Sequence, residues 1–242
     1  SLTNSEGKIT SHLMGLFSRT IKLMEYGIKP VFVFDGKPPE LKYKTTEKRR
    51  AIKEKAAEKL KAAEKAGDLE AIRKYAQQTT RLTGDIISEA KELLRALGIP
   101  VVQALADGEA MAAILARKGS VWAVASQDYD ALLYGSPKLV RNLTISQRRK
   151  VAGTRSTVQI KPEVIDLNET LLHHKISRKD LINAAILIGT DFNSGIKGIG
   201  PKTSMKIVSE GRIEEYHEQL PRHEEVADIF LKPVSVNDYS VK

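Results

Sequence analysis

Val31-Phe32-Val33-Phe34-Asp35-Gly36 gives the strongest structural signal in this chain. Four consecutive apolar residues with β-branched or aromatic side chains are typical of a strand buried on both faces, and Asp-Gly ends it. Residues 120–125, Ser-Val-Trp-Ala-Val-Ala, predict a second such strand, which leads into Gln127-Asp128-Tyr129-Asp130. Further strands are predicted from residue 99 and over 139–143, and helices over 10–26, 86–97 and 181–188. Because strands alternate with helices, we expect an α/β fold with a mostly parallel central sheet flanked by helices.

Most of the positive charge lies in one segment. Residues 37–81 hold 14 Lys and Arg against 7 Asp and Glu, which accounts for +7 of the formal net charge of +9. Residues 45–65 are strong helix formers with a thin apolar stripe, so we expect a projecting arm, paired with a second helix after Gly67-Asp68. The excess charge favours a polyanion partner over a solvated surface helix. Aromatic residues are only 5%, which favours contacts to phosphates and duplex shape over base stacking.

Composition excludes several other classes of protein. The chain has no cysteine and five scattered histidines, so it has neither a disulfide framework nor zinc-ligand spacing. No apolar run approaches the roughly 18 residues of a membrane-spanning helix, and no secretory leader is seen. We therefore expect an intracellular protein without membrane contact. Residues 145–159 are polar and basic and predict a loop.

Acidic residues follow several of the apolar elements. In parallel sheets the carboxyl ends of the strands meet at one crevice, so these groups are expected to gather there. Gathered carboxylates need a cation, and oxygen ligands without His or Cys favour Mg²⁺ or Mn²⁺. The alternative is that each acid caps a helix or lies in a loop, and Asp107-Gly108-Glu109 would suit a helix N-terminus. The candidate metal ligands are Asp35, Asp107, Glu109, Asp128, Asp130 and Asp191.

A glycine-rich segment, Gly195-Ile196-Lys197-Gly198-Ile199-Gly200-Pro201-Lys202, forms the second functional signal. It is not a nucleotide-binding P-loop, because Pro201 separates the last glycine from the lysine and no strand precedes the segment. Glycines before a proline in the first helical turn resemble a helix-hairpin-helix, whose backbone N–H groups bind a DNA phosphate. The alternative is a simple turn between two helices. The candidate DNA-binding residues are Gly195, Lys197, Gly198, Gly200 and Lys202.

With these motifs in order, the chain resembles the flap endonucleases of the XPG-type structure-specific 5′-nuclease family over essentially its whole length. The basic segment 147–157 makes it more similar to archaeal than to eukaryotic members. The motifs that carry the resemblance are Thr10-Ser11-His12-Leu13, Val33-Phe34-Asp35-Gly36-Lys37-Pro38-Pro39, Asp107-Gly108-Glu109-Ala110, Ser126-Gln127-Asp128-Tyr129-Asp130, Gly189-Thr190-Asp191 and Gly198-Ile199-Gly200-Pro201-Lys202.

The resemblance implies a role for each candidate residue. Asp35, Asp107 and Glu109 would serve one Mg²⁺ ion of a two-metal site, and Asp128, Asp130 and Asp191 the other, with Mn²⁺ as a substitute. Lys42 and Arg49 would be the active-site cations that contact the scissile phosphate. Thr10 would lie in a pocket for a one-nucleotide 3′ flap. The glycine hairpin would grip duplex DNA with the help of a K⁺ ion.

The resemblance also implies a domain organisation and partners. It predicts nuclease core over 1–36 and 85–191, a helical arch over 37–84, and a helix-hairpin-helix region over 192–242. Asp107 replaces the family's usual Glu, and the chain is expected to be truncated at both ends. A strand, an Asp and a Tyr would precede Ser1, and a tail that binds a sliding clamp would follow Lys242. Flap DNA is the expected substrate and the archaeal cytoplasm the expected location. Alternatives are a junction-cutting or exonucleolytic 5′ nuclease and a DNA-binding fragment without activity.

Overall fold

The computed structural model of the protein describes residues 10–37, 43–72, 75, 83–143, 148–150 and 156–234, without the side chains of 43–53 and 148–150. Its helices are α1 (Ser11–Glu25), α2 (Tyr43–Ala66), α3 (Gly84–Ala96), α4 (Gly108–Arg117), α5 (Asp130–Leu133), α6 (Leu167–His174), α7 (Arg178–Ile188), α8 (Pro201–Ser209) and α9 (His223–Leu231), with a 3₁₀ helix over Ile213–Gln219. Its strands are β1 (Phe32–Phe34), β2 (Val101–Gln103), β3 (Val124–Ala125), β4 (Lys138–Arg141), β5 (Arg148–Lys150), β6 (Thr157–Gln159) and β7 (Glu163–Asp166).

The strands pair in three small sheets, and the predicted α/β class is confirmed. β1 pairs in parallel with β2, and β3 pairs in parallel with β4. β7 adds to β4 in the antiparallel direction, and β5 and β6 form a separate antiparallel hairpin. Helix α4 packs against both β1 and β3. One helix therefore covers both parallel pairs and fixes their relative position.

The core beneath α4 explains why this helix forms and where it lies. Its buried residues Met111 and Leu115 pack in one cluster with Val102 of β2 and Ala104 after it. Partly buried Val33 of β1 closes the same cluster. Each buried methylene contributes about 0.8 kcal/mol to the free energy of folding, so these side chains stabilise the packing of the helix against the strands. The apolar face of α4 thus places its N-terminus at the ends of the strands.

The second predicted strand is shorter than the sequence indicates. Only Val124 and Ala125 of residues 120–125 are in a strand, and Trp122 is 68% exposed. The preceding residues instead close the C-terminus of α4, where the Ser120 N–H donates to the Leu115 carbonyl and Gly119 has a positive φ of 72°. A helix end that uses a left-handed glycine requires this backbone, so the apolar run cannot all be strand.

The predicted loop over 145–159 is wrong for two of its segments. Arg148–Lys150 and Thr157–Gln159 pair as β5 and β6, with Arg149 opposite Val158. Thr157 and Val158 are β-branched, a residue type that favours strands even on an exposed surface. The high polarity of the segment hides this preference, because a strand exposed on both faces, as β6 is, lacks the apolar alternation on which sequence patterns depend.

Helix α2 has the thin apolar stripe that the sequence predicts. Ala56 and Ala63 are buried and Leu60 is partly buried, while most of the described side chains around them are exposed. Gly67, with φ of 67°, ends the helix, and a further helical turn over 69–72 begins at the capping side chain of Asp68. The Lys59 ammonium lies 5.9 Å from the Tyr75 ring centroid, which brings residue 75 next to α2. The extent of the arch over 37–84 stays a prediction.

The C-terminal helices share the largest core cluster of the described residues. It joins α4, α5, α7, α8 and α9, and the ring of Phe230 packs 5.0 Å from that of Tyr134 and 5.5 Å from that of Phe192. The Arg178 side chain links the same elements, because it donates to the Leu133 and Phe230 carbonyls. The domain boundary at residue 192 stays a prediction. Among the described residues, no helix is both long and apolar enough to cross a membrane.

Helices α7 and α8 pack against each other and are joined by the glycine-rich segment. Gly195 has φ of 65°, and a Cβ at this position would lie 2.2 Å from the Ile188 carbonyl oxygen. The adjacent Ile196 N–H donates to Leu187 O, which holds the segment against the end of α7. Gly198 also has a positive φ, 91°, but a Cβ there meets nothing within 4 Å among the described residues. Gly195 is therefore required by both its backbone conformation and a close backbone contact, whereas Gly198 is required by its backbone conformation alone.

We predict that Gly195→Ala destabilises the protein much more than Gly198→Ala. Alanine at either position incurs the backbone penalty of a left-handed conformation, about 1 kcal/mol, whereas at 195 its methyl group also collides with backbone atoms that cannot move independently. We expect Gly195→Ala to lower the free energy of unfolding by about 3 kcal/mol in total. Urea titrations of both variants measure this difference, and equal destabilisation would contradict the steric explanation.

Candidate metal centre and nucleic-acid interface

The ends of β1 and β2 meet in a very close backbone approach. The Gly36 N–H donates to the Ala106 carbonyl at 2.7 Å, and Lys37 N–H to the Leu105 carbonyl at 3.1 Å. A Cβ on Gly36 would lie 2.3 Å from Ala104 O, so a side chain at this position would force the two chain segments apart. The approach brings Asp35 beside the start of α4, where its Oδ1 accepts from the Gly108 N–H at 2.7 Å.

Asp107 begins α4 as its N-cap. Its Oδ1 accepts hydrogen bonds from Glu109 N–H at 2.9 Å and Ala110 N–H at 3.1 Å. The capping role that the sequence allows for Asp107 is therefore observed. Three backbone N–H groups in the first turn of α4 donate hydrogen bonds to the carboxylates of Asp35 and Asp107. A helix N-terminus can do this because its first N–H groups have no partner within the helix and its dipole is positive at this end.

Ser126 directly follows β3 and links two pairs of acids, Asp107 with Glu109 and Asp128 with Asp130. Its hydroxyl donates a short hydrogen bond to Glu109 Oε1 and accepts one from Asp128 N–H at 3.1 Å. The Ser126 N–H in turn donates to Val140 O of β4 at 3.2 Å, which fixes the residue to the sheet. The sequence pattern alone predicts no role for Ser126, although its position directly between a predicted strand and the pair Asp128 and Asp130 is a usable signal.

Electrostatics show that the carboxylates lie close together. The pKa of Glu109 is raised to about 7, first by burial and then by the negative charges of Asp130, Asp128 and Asp107, while the hydrogen bond from Ser126 opposes the rise. The pKa of the buried Tyr134 phenol is also raised, first by burial and then by Asp107, Asp130, Glu109 and Asp191. The structure thus brings four of the six predicted ligands near one buried tyrosine. Of the other two predicted ligands, Asp128 contributes to the raised pKa of Glu109, and Asp35 accepts the hydrogen bond from the Gly108 N–H.

The donor set suits a hard divalent cation. Carboxylate oxygens are the ligands that Mg²⁺ and Mn²⁺ prefer, and a cation would relieve the repulsion that raises the pKa of Glu109. In the part of the chain that the structure describes, no group of three or more such side chains is arranged to hold an ion as it stands. Several of the oxygens instead make the hydrogen bonds to Gly108, Ser126 and the α4 amides described above. Donor type and charge fit a metal, and the individual ligands stay predictions.

The predicted cations and the flap pocket are only partly described. Lys42 lies outside the described residues. Arg49 lies in α2, and its side chain is outside them as well. Thr10 immediately precedes α1, and His12 in the first turn of α1 contacts Glu89 of α3 at 2.9 Å. The roles of these residues stay predictions.

The glycine-rich segment from Gly195 to Lys202 carries exposed lysines beside the start of α8. Gly200 is the N-cap of α8 and Pro201 occupies its first turn, as the sequence predicts. The side chains of Lys197 and Lys202 are exposed on either side of this helix start. A helix N-terminus with nearby ammonium groups is suited to bind a phosphate, although the same geometry serves a plain helix–turn–helix connection. Gly195 and Gly198 supply the left-handed turns described above.

Comparison with known proteins identifies the class to which this fold and site belong. Residues 1–56 match the XPG N-terminal domain and residues 98–191 match the XPG I-region. The chain is 51% identical over 249 residues to flap endonuclease 1 of Hyperthermus butylicus, covering 100% of this chain and 71% of the relative. The match to the XPG nuclease domains agrees with the acidic clusters at the strand ends.

Solved structures agree with these matches. Flap endonuclease-1 from Methanococcus jannaschii has a TM-score of 0.71 and 45% identity, and the match covers 99% of this chain and 73% of that one. The catalytic core of Rad2, solved with its DNA substrate, has a TM-score of 0.69 and 25% identity over 98% of this chain and 75% of that one. The chain belongs to the flap endonuclease family of XPG nucleases, and its resemblance to archaeal members is confirmed.

We predict that the metal-free protein loses stability as the pH rises from 5 to 8. The pKa of Glu109 is about 7 in the folded state against an ordinary 4.5, so the folded state binds more protons in this window and unfolding becomes easier as they leave. The loss should be on the order of 1–2 kcal/mol after allowance for partial solvent screening. Glu109→Gln should remove most of this slope. Thermal unfolding in EDTA across the pH range checks it, and an unchanged slope in the variant would refute the assignment to Glu109.

Proposed function

We propose that this protein hydrolyses a phosphodiester of branched DNA near the junction of single and double strands, as a 5′ flap endonuclease in replication and repair. The observation that carries the proposal is the convergence of carboxylates from separate elements, where Asp35 meets the start of α4 and Ser126 joins Glu109 to the segment of Asp128. Burial first, and then these neighbouring carboxylates, raise the pKa values of Glu109 and Tyr134. Such a concentration of acids at the strand ends is costly unless a cation neutralises it. Membership in the flap endonuclease family supplies the reaction, and the Rad2 core bound to its DNA substrate supports DNA as the partner.

We assign two Mg²⁺ ions to the acidic cluster, with Mn²⁺ as a substitute. Asp35, Asp107 and Glu109 would hold one ion, and Asp128, Asp130 and Asp191 the other. A pair of such ions activates a water and stabilises the leaving oxygen in phosphodiester hydrolysis. The chain's own contribution is orientation, because the α4 amides and Ser126 fix three of the carboxylates before any ion binds.

We assign DNA binding to basic groups that make no sequence-specific contacts. The amides at the start of α8, with Lys197 and Lys202, would bind a phosphate of the duplex, with K⁺ at the hairpin from Gly195 to Gly200. Lys42 and Arg49 would stabilise the charge that develops on the scissile phosphate. Thr10 would contact a one-nucleotide 3′ flap. A sliding clamp as a further partner and an archaeal cytoplasmic location stay predictions.

We predict that Asp128→Asn and Asp130→Asn each lower flap cleavage at least about a thousandfold while leaving DNA affinity within about threefold, because each removes ligand charge without altering the basic surface. Single-turnover cleavage and fluorescence anisotropy with one flap substrate measure the two quantities. Asp85→Asn, an exposed acid in the first turn of α3, is the matched control and should cleave at the wild-type rate. Wild-type cleavage by either Asp128 or Asp130 variant would eliminate the proposed metal site.

We predict that replacing Lys197 and Lys202 with Ala weakens binding to duplex-containing DNA of any sequence by a similar factor. Removing one phosphate contact should reduce the slope of log K against log salt by about 1, because fewer counterions are released on binding. Lys179→Ala, a basic residue at the start of the neighbouring helix α7, serves as the control. An unchanged salt slope in the double variant would mean that the glycine hairpin is only a structural connection.

A further inference from the structure

Arg141, the last residue of β4, contacts the acidic connection between β3 and α5 at two points. Its Nε donates to the Gln127 carbonyl at 3.2 Å. Its guanidinium also stacks on the Tyr129 ring, with 4.1 Å between the central carbon and the ring centroid, and donates a short hydrogen bond to the Tyr129 hydroxyl. Because β3 and β4 are parallel, the end of β4 lies at the sheet edge from which this connection emerges.

The two contact points lie on either side of Asp128. Gln127 precedes Asp128 and Tyr129 follows it, and Tyr129 is also the N-cap of α5, the helix that begins with Asp130. A planar guanidinium that holds both a peptide carbonyl and an adjacent ring restricts the rotation of the peptide units between them. Ser126 adds a third attachment through its N–H to Val140 O, the residue before Arg141. The segment that carries two acids is thus tied to the end of β4 along its length.

We propose that Arg141 is a positioning residue that orients Asp128 and Asp130 for divalent cations, with Tyr129 as its partner. The proposal rests on the proposed function, because it takes these two aspartates as metal ligands. Groups behind the ligands of metal sites fix ligand orientation, and their removal costs about 10- to 100-fold in metal affinity or activity. Arg141 acts here through the backbone and Tyr129, and no contact with the reacting atoms is required.

A purely structural role for Arg141 would rest on its ion pair with Glu163. Their charged atoms are 3.8 Å apart and Glu163 is largely exposed, so this pair is of the weak surface type. Lys138, on the same strand, is a natural comparison. It pairs with Asp166 of β7 at 3.2 Å and lies 5.9 Å from the Trp122 ring centroid, yet it is at the opposite end of β4 from the acids. Lys138 thus has the same kinds of partner without the connection to the acidic segment.

The experiment compares Arg141→Met and Arg141→Lys with Tyr129→Phe and with the control Lys138→Met. Mn²⁺ affinity is measured by calorimetry on the DNA-free protein, and the Mg²⁺ dependence of single-turnover flap cleavage is measured in parallel. Flap DNA affinity is measured in EDTA, and melting temperature reports folding. We expect Arg141→Met to weaken Mn²⁺ binding and raise the half-saturating Mg²⁺ concentration by at least about tenfold, with DNA affinity within about threefold of wild type.

The other variants refine the expectation. Arg141→Lys keeps the charge but lacks the planar fork, so it should be impaired nearly as much as Arg141→Met while keeping the Glu163 pair and the fold. Tyr129→Phe keeps the stacked ring without the hydroxyl acceptor, and its Mn²⁺ affinity should fall between Arg141→Met and wild type. Lys138→Met should match wild type in both metal measurements.

Three results would overturn the proposal. Wild-type Mn²⁺ affinity in both Arg141 variants would show that the contacts do not orient the ligands. A decrease in DNA affinity as large as the decrease in cleavage would make Arg141 a DNA-binding residue instead. An equal loss of Mn²⁺ affinity in Lys138→Met would show that the Arg141 variants act only by weakening the sheet. If the wild-type protein cleaves no flap DNA, the proposed function fails, whereas the Mn²⁺ titrations of the variants still decide whether Arg141 positions a metal site.

Discussion

Repulsion among the carboxylates at the strand ends is the constraint on which the site's construction depends. Glu109 has a pKa near 7 because it is buried next to Asp130, Asp128 and Asp107. The protein offsets part of this cost with donors that require no charge, namely the first amides of α4 and the Ser126 hydroxyl. Hydrogen bonds to a carboxylate favour its ionised form, and they also fix its direction. The negative charge that these hydrogen bonds leave unneutralised favours the binding of a divalent cation, as in the proposed metal site.

Helix α4 and the two strand pairs that it covers bring the carboxylates close enough to repel one another. Met111 and Leu115 on its buried face pack on the strands, and Glu109 and its cap Asp107 lie at its N-terminal end. Burying an apolar face is worth several kcal/mol per large side chain, which exceeds the cost of bringing acids together. Gly36 allows the final approach, because the two strand exits touch through backbone atoms alone. Stability and function are thus coupled in one helix, whose core contacts determine where its acids lie.

Much of the fold is predictable, because its elements are local. Helix α1 lies at Ser11–Glu25 against a prediction of 10–26, and β1 at Phe32–Phe34 within the predicted apolar run. Prediction is wrong where one short segment contains both the end of a helix and the start of a strand. The apolar run predicts strand over 120–122, but the strand begins only at Val124 because Gly119 and Ser120 close helix α4, and a helix C-terminus requires backbone that apolar periodicity does not reveal. The β5–β6 hairpin escapes prediction for a different reason, because its residues are mostly polar and show no apolar alternation.

The sequence by itself determined which residue types could do chemistry here and at which element ends they stand. Six acids without cysteine ligands indicate oxygen chemistry, and 14 basic residues over 37–81 indicate a polyanion partner. Only the tertiary structure decided which side chains support these residues. Ser126 and Glu109 are 17 positions apart and Arg141 and Tyr129 are 12 apart, and neither pair has a spacing that predicts contact. Parallel strand pairing brings them together, because it aligns the ends of segments that are separate in sequence, and the pairing of strands depends on the whole core rather than on any local pattern.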